Sequence, residues 1–193
     1  MRWLVFTVGA LLSASNPAIV STVDVAGTVH AGGKAKQDAV VWLEPLNGQP
    51  APPVVKKTVV LDQRTSTFYP HVLAVQVGTT VDLPNNDRVF HNVFSFHDGK
   101  KFDLGLYPVG TVRRVTFDHR GLSRIFCNIH PNMAAYILAV DSPYFSVSDS
   151  QGRFSIASVP AGSYTYHAWR AGAPELTGTL VLEPGKPLEI TWP

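Results

Sequence analysis

Apolar and polar residues alternate along most of this chain in runs of four to eight, each closed by Gly, Pro, Asn or Asp. That period of two marks half-buried β-strands, and almost no stretch carries the 3.6-residue period of an amphipathic helix. The pattern predicts strands at 23–30, 39–44, 57–61, 72–77, 80–83, 92–96, 112–117, 123–127 and 135–140. Further strands are predicted at 145–148, 154–156, 163–169, 177–182 and 188–192. Turn signals at Val77-Gly78, Asn85-Asn86-Asp87, Asp98-Gly99, Gly121 and Gln151-Gly152 separate them. Many short strands at this spacing predict an all-β protein built of sandwiches, with no parallel sheet wrapped by crossover helices.

The first residues break the pattern. Arg2 precedes an apolar run from Trp3 to Leu12, and Ser13-Ala14-Ser15 follows with small side chains. This is the layout of a secretory signal peptide cut near Ser15, and the run is shorter than the ~20 residues needed to span a bilayer. We therefore expect an exported, periplasmic protein without a membrane span after cleavage. The rest divides into blocks. Residues 1–21 are the leader, and 22–55 end in the Pro-rich stretch from Pro45 to Pro53. Residues 56–140 carry every candidate metal ligand, and 141–193 begin behind Ser142-Pro143 with a run of hairpins of their own.

Composition excludes several functions. The formal net charge is +2, with no basic run, so nucleic acid is not an expected partner. There is a single cysteine in 193 residues. In an oxidising compartment it is buried and inert, paired with another chain, or metal-bound. Its neighbourhood decides what to weigh: Cys127-Asn128-Ile129-His130-Pro131-Asn132-Met133 places a thiol, an imidazole and a thioether on one turn. Alone, this permits a buried thiol, a nucleophile or a metal site. Mononuclear blue-copper centres use two imidazoles and a thiolate in a trigonal plane with a distant axial sulfur. His91, behind the polar turn 85–88 and opening a strand, offers the missing imidazole, and Asn92 offers a hydrogen bond across to the ligand loop.

Residues 56–140 also resemble a cupredoxin, most closely the amicyanin, pseudoazurin and plastocyanin type. The resemblance rests on Val72–Leu83 as an opening strand pair, and on Phe90-His91-Asn92-Val93-Phe94 as the first-histidine motif. Val115-Thr116-Phe117, Gly121 and the run from Phe126 to Met133 match the ligand loop in its short form. It implies a Greek-key β-sandwich holding one type-1 copper through His91, Cys127, His130 and Met133, with Asn92 in support. It also implies single-electron transfer between redox partner proteins that the sequence does not identify. The segment is compact for this family, so residues 39–43 are a candidate to complete it, and 97–109 departs from the amicyanin pattern. A second resemblance, to the carboxypeptidase-regulatory-like (transthyretin-like) sandwich, rests on Val25-Ala26-Gly27-Thr28-Val29, residues 39–43, and the turn motifs from Asp149 to Ile156 and Val159 to Tyr164. It implies one small sandwich split by the inserted copper domain, with carbohydrate contact as a further expectation.

Competing readings lack residues. Multicopper oxidases and copper nitrite reductases need His-x-His pairs, and none occurs; a binuclear purple centre needs two bridging cysteines. A cysteine hydrolase leaves Met133 unexplained, and structural zinc wants more Cys or His. The chain is accordingly expected not to be an enzyme. The alternative function is a copper-handling protein that does not shuttle electrons, or a carbohydrate-binding-like module with a structural cupredoxin domain. His97 is expected at a surface turn. His30, His71, His119 and His167 have no ligand spacing, and Phe90, Phe94, Phe126 and Tyr136 are expected in core packing.

Overall fold

The computed structural model describes residues 21–46, 58–96 and 98–193. The expected leader, most of the Pro-rich stretch and His97 lie outside the described residues. All regular structure among the described residues is β-strand, as the alternation predicts.

The first and last segments of the chain pair with each other. They supply β1 (Thr22–Ala31), β2 (Lys34–Ala35), β3 (Val40–Pro45), β14 (Phe145–Val147), β15 (Arg153–Pro160), β16 (Ser163–Trp169), β17 (Leu176–Val181) and β18 (Leu188–Trp192). β1 lies between antiparallel β15 and parallel β18, while β3 lies between β14 and β16 with β17 beyond. These sheets enclose Val29, Leu43, Phe154, Ile190 and Trp192. β18 begins to pair at Gly27 because only glycine fits there: a Cβ would sit 2.0 Å from the Leu188 carbonyl oxygen.

The middle segment forms a second pair of sheets. Its strands are β4 (Val59–Val60), β5 (Asp62–Arg64), β6 (Thr67–Tyr69), β7 (Val72–Gln76), β8 (Thr79–Pro84), β9 (His91–Ser95), β10 (Phe102–Tyr107), β11 (Val112–Phe117), β12 (Gly121–Phe126) and β13 (Ala134–Val140). One sheet runs β10-β9-β12-β13-β7 and the other β11-β8-β4, with β5 and β6 as a separate hairpin. The chain crosses between sheets from β7 to β8, β8 to β9, β10 to β11 and β11 to β12, the Greek-key arrangement expected. Val75, Leu83, Phe117, Ile125 and Ile137 fill the space between.

The two bodies are packed on each other through a third apolar cluster. Val40 and Trp42 of β3 meet Val72 and Ala74 of β7 and Leu138 and Val140 of β13. Tyr136 and Trp169 meet across the same boundary with ring centroids 5.3 Å apart and planes tilted by 60°. This explains two continuous apolar runs, 39–43 and 137–140: strands covered on both faces lose the alternation of half-buried ones. It also corrects the expectation that 39–43 completes the metal-site sandwich. β3 hydrogen-bonds to β14 and β16 and meets β7 and β13 only through side chains.

Three further differences have local causes. Residues 102–107, expected as a connection, form β10, whose alternation is hidden by a bulge between Asp103 and Leu106 at Gly105 (φ 64°). The β5–β6 hairpin turns at Thr65 and Ser66, with φ of 51° and 52° and none of the Gly or Asn that usually announces such a turn. β2 is two residues long, below the reach of a periodicity argument.

Candidate metal centre

His91 opens β9 and is fully buried, because alternation along this strand turns His91, Val93 and Ser95 inward. Asn85 prepares its approach. Its buried amide donates to the carbonyls of Val89 (2.9 Å) and Tyr107 (3.1 Å), while its Oδ1 accepts from the Asp87 N–H (3.1 Å). The turn 85–89 is thereby fixed against the end of β10.

Cys127 follows the last residue of β12 and lies buried in the same apolar cluster as Met133. The loop between β12 and β13 closes on itself through two backbone bonds, Cys127 N–H to Met133 C=O (3.2 Å) and Met133 N–H to His130 C=O (2.9 Å). A seven-residue segment is thus folded tightly enough to turn Cys127, His130 and Met133 to one side. Asn128, Ile129, Pro131 and Asn132 remain exposed, and His130 is half-buried.

The ligand atoms converge. Cys127 Sγ is 3.8 Å from His91 Nδ1 and 3.6 Å from His130 Nδ1, and the three atoms all lie within 4.8 Å of one another. The two imidazole rings are tilted by 54° with centroids 4.7 Å apart. Donors bound at about 2.1 Å to one ion in a trigonal plane are separated by about 3.6 Å, so both sulfur–nitrogen distances fit a shared ion. Two imidazole nitrogens and a thiolate, with the thioether of Met133 buried in the same cluster, is the donor set that suits copper of the type-1 kind.

The far side of His91 carries a residue that the sequence reading missed. His91 Nε2 lies 2.9 Å from Asp87 Oδ2, and the Asp87 side chain is only 10 % exposed. The carboxylate also accepts the backbone N–H of Ser66 (2.6 Å) and of Arg88 (2.7 Å). Its pKa is lowered to about 2, first by the Ser66 N–H and then, against the opposing effect of burial, by His91 and the Arg88 N–H. The signal available in the sequence was a carboxylate four residues before the candidate ligand, read only as part of a turn.

Asn92 does not reach across to the ligand loop. Its amide donates to Asp103 Oδ1 (2.7 Å) on the neighbouring β10, because the residue after an inward His91 faces the other side of the sheet. The expected core aromatics need the same correction. Phe90 is 56 % exposed, and Phe94 and Phe126 are half-buried, paired to each other on that outer face with ring centroids 5.9 Å apart. Tyr136 is half-buried at the boundary between the two bodies. The other described histidines stay away from the cluster: His71 pairs with Asp38, His119 with Asp118, and His167 with Glu44 and Glu175.

No protein-family model and no curated protein sequence matches the chain. Among solved structures, a purple cupredoxin from Nitrosopumilus maritimus is 24% identical over 43% of this chain and 98% of its own, with a TM-score of 0.38. An oxidised amicyanin variant is 19% identical over 51% of this chain and 99% of its own, with a TM-score of 0.41. A copper-containing nitrite reductase from Thermus scotoductus is 24% identical over 58% of this chain but only 28% of its own, with a TM-score of 0.42. These neighbours are cupredoxins or contain the copper fold, and two of the three are covered almost entirely by about half of this chain. Among the described residues no helix is long and apolar enough to cross a membrane.

Proposed function

We propose that this chain is an exported type-1 copper protein that passes single electrons between redox partners and is not itself an enzyme. One observation carries the reading: the Nδ1 atoms of His91 and His130 lie 3.8 and 3.6 Å from the Sγ of a single buried cysteine. Copper would be held by His91, Cys127, His130 and Met133, and it supplies a reversible one-electron couple.

The protein's own residues do the rest. The thiolate of Cys127 and the thioether of Met133 suit the reduced metal, and the imidazoles suit the oxidised one, so a fixed donor set serves both states. The strands β9 and β12 and the closed 127–133 loop hold that set with little freedom to relax. Val93, Tyr107 and Ile125, all fully buried, keep water from the inner side of the centre. His130, half-buried on a loop with exposed Ile129 and Pro131, is the edge at which a partner would meet the site.

The pairing of β1 and β3 with β14–β18 supports reading 22–55 and 141–193 as a single carboxypeptidase-regulatory-like sandwich into which the copper-binding segment 56–140 is inserted. The apolar run behind Arg2 supports export to the periplasm.

Addition of Cu(II) to the purified protein tests the function. The reading requires an intense visible thiolate-to-copper band and a reversible couple, both absent in Cys127→Ala while the far-UV spectrum stays that of a β protein. A colourless protein that binds Cu(I) and gives it up readily would replace electron transfer with copper handling. A band retained in Cys127→Ala would sink the site assignment.

A further inference from the structure

We infer that Asp87 is a positioning residue for His91, and that the β5–β6 hairpin is the clamp that holds Asp87 in place; the inference rests on the copper reading above. A histidine can serve a metal only through the nitrogen that lacks a proton, and the partner of the other nitrogen decides which one that is. Here the two ring nitrogens face opposite surroundings. Nε2 meets the carboxylate of Asp87 at 2.9 Å, and a carboxylate can only accept, so the proton lies on Nε2. Nδ1, left with its lone pair, faces Cys127 Sγ at 3.8 Å. The ring is buried completely, so water cannot substitute for the carboxylate.

Asp87 is in turn gripped from behind. The Ser66 N–H donates to the same Oδ2 that meets His91, at 2.6 Å. Three more bonds tie the hairpin to the segment carrying Asp87: Asn86 N–H to Gln63 C=O (3.0 Å), Asn86 Nδ2 to Asp62 Oδ1 (2.9 Å) and Gln63 Nε2 to Pro84 C=O (2.9 Å). Gln63 and Asn85 also form a parallel bridge. Ser66 reaches Asp87 only because the turn places Thr65 and Ser66 in the left-handed region, an expensive conformation for a β-branched residue. The cost is understandable if the turn must aim its N–H at Asp87. A negative charge on the far N–H makes the imidazole a stronger donor, which favours the oxidised metal and lowers the reduction potential.

Two variants and two readouts test this. In the metal-free protein, ¹⁵N NMR of the His91 ring is expected to show the Nε2–H tautomer. Asp87→Ala should remove that preference, and Asp87→Asn, which keeps an acceptor oxygen without the charge, should restore it. In the copper-loaded protein, Asp87→Ala should weaken Cu(II) binding by about 10–100-fold and Cu(I) binding much less, so that the potential rises. Asp87→Asn should also raise the potential, since it lacks the charge. A purely structural role would lower the melting temperature and leave both readouts where they were. An Nδ1–H tautomer in the wild-type protein, or wild-type tautomer and potential in Asp87→Ala, overturns the inference. If Asp87→Ala does not fold, the wild-type tautomer and the potential of Asp87→Asn decide it. Failure of the wild-type protein to bind copper would refute the copper reading, and the metal-free tautomer would still report on Asp87.

Discussion

The Nδ1 of His91 and the Sγ of Cys127 are 3.8 Å apart although 36 positions separate them in the chain. The contact is made by β9 and β12 lying side by side, with Phe94 and Phe126 in register, so the site exists only when the five-stranded sheet is assembled. Met133 belongs to the same buried cluster but returns from the far end of the closed loop. Met133→Leu is therefore expected to keep copper and colour, since three donors remain, and to raise the potential as the weak axial sulfur is lost. Voltammetry on the variant checks this; loss of all copper binding would remove Met133's axial role.

The apolar layer between the two bodies should make them one cooperative unit. Leu138 projects from β13 against Val40 and Trp42 of β3. Leu138→Ala should cost about 2–5 kcal/mol, nearer the lower bound because the residue sits at a boundary that can partly close. Denaturation followed by tryptophan fluorescence and by copper colour should give coincident transitions that shift together. A shift in one probe alone would mean that the bodies unfold independently.

How far the sequence revealed this arrangement varies residue by residue. Cys127, His130 and Met133 were legible because sulfur side chains are rare here and three ligand types fell within seven positions. The runs 39–43 and 137–140 are continuously apolar, a mark of burial on both faces that was read only as strand, and nothing in them says that each covers the other. Phe94 and Phe126 were misplaced although parity could have corrected the first: if His91 points inward, residue 94 of the same strand points out. Asp87 left only a faint signal, a carboxylate four residues before His91, and its role depends on a hairpin whose turn residues, Thr65 and Ser66, carry no turn signature. Asn92, expected to bond across to the ligand loop, bonds instead to Asp103 on β10, a strand hidden by its bulge.

The same turn offers a stabilising change. Thr65 and Ser66 have φ of 51° and 52°, where side chains with a Cβ are strained and Asn-Gly is the favoured pair. Replacing them together, Thr65→Asn with Ser66→Gly, should raise the unfolding free energy by about 1 kcal/mol while leaving every backbone N–H in place. Urea denaturation measures it. A destabilised double variant would show that the Thr65 hydroxyl, bonded to the Arg64 carbonyl at 2.7 Å, outweighs the backbone strain.

Tyr107 gives the fold a dependence on alkaline pH. Its ring is fully buried, its hydroxyl donates to the Leu83 carbonyl (3.1 Å) and accepts from Gln63 Nε2, and burial pushes its pKa from 10.0 up to about 12. A folded-state pKa raised above the unfolded one means that the unfolded chain releases its proton first. The corresponding stability is intact below pH 10.0 and is lost as pH rises from there to about 12. Tyr107→Phe removes that contribution and takes the acceptor from one of the two Gln63 Nε2 hydrogens, the other staying on the Pro84 carbonyl, so it should cost about 1–3 kcal/mol at neutral pH. In the alkaline window the variant should lose stability less steeply than the wild type, narrowing the gap between them. Urea unfolding of both proteins on either side of pH 10.0 checks the prediction, and parallel losses through that window would show that the buried phenol is not the group responsible.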